Sequence, residues 1–228
     1  MTIMKSEDLE TKVKMLAETN AKLEAMVKVL AENGEKLETR VKNTEDVEAV
    51  KKLQKSYNYY LQRWQYEEII ALFSKRPDVT VEIADSGQHQ GLEGVRKYFS
   101  HNLNPPPEFL HILMPIAGIV DVDPNGKTAQ GRWYGLGVQA IPFDGKARAR
   151  WTMGIWENEY VKEDGKWKFL KLFWYGIFST PYEDGWVKTP RFAPNMKDKP
   201  APGPNAPTNQ YPTSYIFPYH YKNPVTGK

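Results

Sequence analysis

The sequence predicts an α+β protein in which helices come first and a long antiparallel sheet follows, the helices packing on one sheet face. Three observations carry this. Apolar and aromatic residues recur at helical spacing through Leu53, Tyr57, Tyr60, Leu61 and Trp64. Four long β-rich runs come next, at about 109–122, 127–141, 147–161 and 166–179. Their junctions, DPNGK, FDGK and EDGK, each hold an Asn-Gly or Asp-Gly pair, the dipeptides that tight hairpins favour.

Residues 1–43 read as a separate heptad-repeat helical arm. They are rich in Glu, Lys, Ala and Leu and contain neither Pro nor an aromatic residue. Leu9, Leu16, Leu23, Leu30 and Leu37 recur at a strict interval of seven. With these at d, the a positions are Val13, Asn20, Val27, Gly34 and Val41. Beta-branched a with Leu at d favours parallel dimers, and one a-site Asn fixes register at some cost in stability. The segments LETKVKMLAETNAK, LEAMVKVLAENGEK and LETRVKNTEDVEAV form a 14-residue internal repeat of two heptads. Two other readings stand beside self-association. The arm can be a solvated helix lying on its own domain, or Asn33-Gly34 can cap one helix and turn the chain into the next.

Residues 44–180 read as the compact unit. Thr44, with Asp46 and Glu48, marks a helix start, and the second short helix, YEEIIALF, ends before Pro77. VTVEIAD (79–85) is a strand and GLEGVRKYFSHN (91–102) a third helix. Residues 181–228 hold ten of the 17 prolines. The polar run APNMKDKPAPGPNAP reads as an extended Pro-rich arm, and Tyr211, Tyr215, Phe217, Tyr219 and Tyr221 as its docking end.

Composition narrows the function. No apolar run approaches the ~18 residues of a membrane span. The start, MTIMKSEDLE, turns acidic at once and has no apolar core, so a cytoplasmic location is expected. The absence of Cys removes disulfides, thiolate metal sites and a cysteine nucleophile. A net charge of +3 does not argue for nucleic acid. Seven Trp, 13 Tyr and nine Phe exceed what a core of this size needs, so some are expected to line a cavity or an interface. Asp121-Val-Asp123-Pro-Asn125-Gly126 imitates half a calcium loop, but position twelve is Arg132 and strands flank it, so it reads as a hairpin turn. Gly135-Leu-Gly137 echoes a dinucleotide fingerprint without the helix that must follow. His89, His101, His111 and His220 show no metal-ligand spacing, and no metal site is expected.

The order helix, helix, strand, helix, then four long strands resembles the nuclear transport factor-like cone fold, in its SnoaL-like branch, over 45–180. YNYYLQRWQYEEIIALF, VTVEIAD, GLEGVRKYF and EDGKWKFLKLFW carry the resemblance. It implies a cone-shaped curved antiparallel sheet with three N-terminal helices on its concave face, a site inside the cone, and no cofactor. The branch includes ketosteroid isomerase, scytalone dehydratase, polyketide cyclases, lyases acting on lignin-derived diaryl compounds, and non-catalytic binding proteins. Tyr57 falls where the isomerase keeps its oxyanion-binding Tyr. The isomerase's base is replaced by Ile83 and its protonated acid by Trp156, which speaks against isomerisation. His111 matches an active-site His of the dehydratase, whose second pocket His falls near Trp133. The tail YPTSYIFPYHYKNPVTGK is similar to endings of SnoaL-like proteins from bacteria that degrade aromatic compounds, the formaldehyde-releasing diarylpropane lyases among them.

Strand alternation then extends the site from these matched positions. With Trp156 inward, so are Gly154, Thr152 and Arg150. With Trp133 inward, so are Gly131 and Gly135, small residues expected to leave room for a ligand. The last strand is expected to contribute Leu170, Leu172 and Trp174. The expected function is a cofactor-independent lyase acting on an aromatic small molecule, in which His111 is base or shuttle, Tyr57 the acid, and Arg150 the holder of a substrate oxygen. Tyr60, Trp64, Trp133, Trp156, Leu172 and Trp174 bind the substrate, three of the tryptophans sandwiching its ring. An isomerase or cyclase, or a binding protein whose heptad arm makes it an adaptor, are the alternatives. The expected partners are that substrate and other copies of the chain, as dimer or trimer, with neither nucleic acid nor membrane.

Overall fold

In the computed structural model, which describes residues 3–143, 146–191 and 211–228, the chain divides into two compact units, Met1–Glu45 and Asp46–Lys228. Helix α1 runs unbroken over Ile3–Leu61. The expected helix start at Thr44 is therefore absent. Its hydroxyl instead donates to the carbonyl of Arg40 at 3.0 Å, the bond of a helix interior. Gly34 also continues the helix rather than capping it. Strong helix formers on either side outweigh a glycine that costs about 1 kcal/mol relative to Ala.

After α1 come α2 (Tyr66–Ala71), β1 (Thr80–Ile83), β2 (Gln88–Gln90) and α3 (Gly91–Phe99). The meander follows as β3 (Leu110–Val122), β4 (Thr128–Phe143), β5 (Lys146–Glu163) and β6 (Lys166–Pro181). All six strands form one open sheet in the order β2-β1-β6-β5-β4-β3. The meander is antiparallel as expected, and one seam outside it makes the sheet mixed. β1 lies parallel to β6, with Val81 opposite Leu172 and Ile83 opposite Trp174. A parallel pair needs a long crossover, and here α3 and the whole meander separate the two strands.

Local chemistry sets the hairpins. In the β3–β4 turn the carboxylate of Asp123 accepts from the amide of Asn125 at 3.0 Å, and the Asn125 side chain accepts from the amide of Lys127 at 2.7 Å. Two of the groups that imitated a calcium loop, Asp123 and Asn125, are thus bonded to their own turn. Between β5 and β6, Asp164 and Gly165 both take positive φ, 48° and 74°, as a type I′ turn requires. Asp144-Gly145, the expected third turn, lies outside the described residues.

The core lies on one face of the sheet, under the C-terminal part of α1 with α2 and α3. Tyr57, Ile69 and Phe99 close from the helices onto Trp133, Trp156 and Leu172. On α1 the inward face is Val50, Leu53, Gln54, Tyr57, Asn58 and Leu61, a 3–4 spacing. The opposite face of the sheet receives residues 215–221. Phe217 rests on Phe173 and Tyr175, with ring centroids 5.1 and 5.5 Å apart. The Pro-rich run 192–210 lies outside the described residues. No helix among those described is long and apolar enough to cross a membrane.

Candidate active site

The site is built on one transverse row of the sheet. His111 on β3 stands opposite Gln139 on β4, and Gln139 opposite Arg150 on β5. Directly paired residues of antiparallel strands project to the same face, so imidazole, amide and guanidinium stand side by side. Pairing of β4 with β5 has no register shift, and Trp156, Gly154, Thr152 and Arg150 therefore share the face of Trp133 and Gln139.

Gln139 is 5% exposed, and its Oε1 accepts from Arg150 Nε at 2.8 Å. This bond fixes the guanidinium plane. The two Nη groups have no hydrogen bond to the described residues, and no described carboxylate pairs with Arg150. Burial lowers its pKa to about 10, which leaves it charged at neutral pH.

The His111 ring is held from two sides. Trp64 meets it edge-on at 5.6 Å, and Phe109, two residues earlier, stacks within 9° at 6.0 Å. Its Nδ1 is buried without a hydrogen-bond partner. Burial first, then the charge of Arg150, then His101, draws the pKa from 6.5 to about 3. The imidazole is neutral at any ordinary pH.

Tyr57 reaches this row through rings rather than directly. It packs on Phe99 at 6.3 Å, Phe99 on Trp64 at 5.8 Å, and Trp64 on His111. Burial, with Tyr98 nearby, raises the phenol well above its usual value, so it stays protonated. Trp64 follows the end of α1 with φ of 52° and anchors its Nε1 on the carbonyl of Phe99 at 2.7 Å. Tyr60 is partly buried against the same core.

The remaining tryptophans behave differently from expectation. Trp156 and Trp174 pack edge to face with centroids 4.4 Å apart. A ring sandwiched between two others needs about 7 Å between their planes, so no substrate ring lies between these two. Trp133 donates Nε1 to the hydroxyl of Tyr160 at 3.2 Å. The glycines expected to leave room for a ligand make room for indoles instead. A Cβ on Gly135 would stand 2.5 Å from Trp156 and 2.4 Å from Trp174. Leu172 is buried as expected, but a register shift between Glu159 and Tyr160 gives the inward place of Leu170 to Phe169, which pairs with Tyr160.

Three features of the site went unread in the sequence. Gln139 is one; alternation from Gly135 and Gly137 reaches it, yet a single Gln matches no catalytic pattern. Phe109 is another, legible as the residue two before His111. The third is a buried amide network. Gln54 Oε1 accepts from Asn158 Nδ2 at 2.8 Å and from the Tyr160 hydroxyl at 3.2 Å, and Gln54 Nε2 donates to Asn58 Oδ1 at 3.0 Å. It ties α1 to β5 beneath Trp133.

A curved six-stranded sheet with helices on one face and a titratable row inside defines a protein of the nuclear transport factor-like cone fold. The SnoaL-like domain matches residues 42–172, and the chain belongs to that family. Among solved structures it is similar to a candidate scytalone dehydratase from Novosphingobium aromaticivorans DSM 12444, at 21% identity and TM-score 0.54, covering 63% of this chain and 91% of that one. It is similar also to the type 2 hexachlorocyclohexane dehydrochlorinase LinA, at 20% identity and TM-score 0.55, covering 68% and 97%. The type 3 enzyme of Novosphingobium barchaimii LL02 follows at 17% and 0.54, covering 68% and 99%. No curated protein matches the chain.

Proposed function

We propose that the chain is a cofactor-independent lyase that removes formaldehyde or water from an aromatic, lignin-derived diaryl molecule by acid–base elimination. The observation that carries this reading is the row His111–Gln139–Arg150. It sets a neutral imidazole beside a fixed guanidinium whose Nη groups make no hydrogen bond to the described residues. The three similar structures named above, a candidate dehydratase and two dehydrochlorinases, carry the names of eliminating enzymes.

For a diarylpropane diol the chemistry balances without a redox partner. Arg150 holds the phenolic oxygen, whose electrons expel the benzylic hydroxyl; that hydroxyl leaves as water with a proton from solvent, since Tyr57 is buried behind Phe99 and Trp64. His111 then takes the proton of the terminal hydroxyl. The carbon–carbon bond to that carbinol breaks, formaldehyde departs, and its electron pair forms the stilbene double bond. A base near pKa 3 is weak, but a phenolate on Arg150 compensates the charge that helps depress it, so His111 gains basicity in the loaded site. Trp64 and Phe109 exclude water around the imidazole. Trp133, Trp156 and Trp174 act as the packed wall of the site rather than as a slot.

The test is turnover of a diarylpropane diol by metal-free protein, read as formaldehyde and as absorbance of the conjugated product. His111→Gln is expected to cost roughly 10²–10⁴-fold in kcat. Full rate in folded His111→Gln, or tight binding of the diol without turnover, rejects the proposal, the second outcome in favour of a binding protein.

A further inference from the structure

We infer that the first unit, Met1–Glu45, pairs with the same segment of a second copy as a parallel, in-register, two-stranded coiled coil. The helix is continuous through every heptad. Its d residues Leu9, Leu16, Leu23, Leu30 and Leu37 are 53–69% exposed, and the a residues Val13, Val27 and Val41 are 49–64% exposed. Nothing in the unit covers this stripe. The strip from Leu9 to Val41 is about 50 Å long at 1.5 Å per residue. At a helix width of about 12 Å it offers roughly 600 Å² per copy, within reach of the ~800 Å² per partner of a stable interface.

The choice of a second copy in parallel orientation follows from three positions. In parallel register Asn20 meets Asn20 and the two amides hydrogen-bond. In the antiparallel alternative, a faces d, and each Asn20 is buried against Leu30 with its amide unpaired. The flanking e positions carry Glu10, Glu24 and Glu38, and the g positions Lys12 and Arg40. Antiparallel pairing brings e against e and g against g. It would place Glu10 on Glu38, Glu24 on Glu24 and Lys12 on Arg40, all like charges. Parallel pairing sets g against e of the next heptad instead. There Lys12 meets Ala17, Thr19 meets Glu24, and Asn33 meets Glu38, with no repulsion. Val at three a positions over Leu at every d selects two strands rather than three. Gly34 makes one weak layer, facing its own copy.

The full chain has no cysteine, so a single introduced thiol reports register. Val13→Cys should form an intermolecular disulfide in nearly every molecule under mild oxidation, because parallel register sets residue 13 on residue 13. Light scattering should give the untreated chain twice its 26.3 kDa mass. Leu16→Glu/Leu30→Glu should halve it while circular dichroism of the sheet is retained. Asn20→Val should raise the temperature at which the pair separates and admit additional oligomers. Three results overturn the inference: a mass unchanged by Leu16→Glu/Leu30→Glu, a three-chain mass, or cross-linking only when Val13→Cys is mixed with Leu37→Cys.

Discussion

His111 and Arg150 both owe their lowered pKa first to burial, and the imidazole feels the guanidinium beside it as well. Burial does most to hold the imidazole neutral, and the guanidinium, with no described carboxylate beside it, adds its field, so the depressed pKa of His111 couples folding to pH. With a folded pKa of about 3 against 6.5 in the unfolded chain, the unfolded state binds the proton first. The contribution of this group is complete above pH 6.5 and is lost as pH falls toward 3, with a limiting slope of about 1.4 kcal/mol per pH unit. Urea unfolding at pH 7 and pH 5 should therefore show the wild type losing roughly 1–2 kcal/mol more than His111→Gln. Parallel losses would mean that the imidazole is already hydrated and charged in the folded state. His111, Arg150 and the inward tryptophans were legible because family resemblance anchors one position and alternation carries it along an unbroken strand. Their roles were less so. Whether an indole lines a cavity or fills the space above a glycine depends on what stands across the sheet, and only the register of Gly135 against Gly154 decides that.

Among the elements, β3 shows how a single irregularity serves the core. Its register with β4 shifts between Ile116 and Ile119, where Ala117 takes φ of 50°. The bulge lays Gly118 under Trp133, so close that a Cβ would stand 2.0 Å from the indole. Trp133 is 4% exposed and its Nε1 is committed to Tyr160, so it has little freedom to retreat. Gly118→Ala is expected to destabilise by about 1–3 kcal/mol, as overpacking of a filled core does. Adding Trp133→Phe should restore part of the loss, and additive losses in that double mutant would place the clash elsewhere. The long hairpins of the meander were readable from Asn-Gly and Asp-Gly pairs. The three-residue β2 and the parallel seat of β1 were not, since a strand's partner is set by the crossover rather than by its own residues. The sequence hides the continuity of α1 for a related reason. Thr44 has the side chain of a cap, but strong helix formers before it removed the need for one.

At the scale of the molecule, the second unit buries both faces of its sheet by different means, helices on one side and residues 215–221 on the other. The C-terminal seat combines apolar and charged contacts. Arg132 reaches the carbonyls of Pro218 at 2.8 Å and Phe217 at 3.1 Å while holding Glu157 at 2.6 Å, and its guanidinium lies 4.4 Å from the ring of Tyr219. His220 bonds Glu157 through Nδ1 and Asp121 through Nε2, the latter at 3.1 Å. Without this segment, Phe173 and Tyr175 would face water on a sheet already committed on its other side, and Glu157 would lose a partner. Ring burial and charge-assisted bonds act on neighbouring positions here, so substitution separates them. Phe217→Ala removes the ring that rests on Phe173 and Tyr175 and should cost about 1–2 kcal/mol, with faster amide exchange across 215–221. Ile216→Ala, one residue away but 57% exposed, should change stability by less than about 0.5 kcal/mol. Arg132→Met keeps an apolar stem on the sheet and removes the bonds to the two carbonyls, the ion pair with Glu157 and the cation beside Tyr219, leaving His220 as the partner of Glu157. Its effect should appear chiefly as exchange at 217–220, with a smaller fall in the urea midpoint than Phe217→Ala produces. If the order is reversed, with Arg132→Met the more destabilising, the segment is held by charge and the rings are passengers.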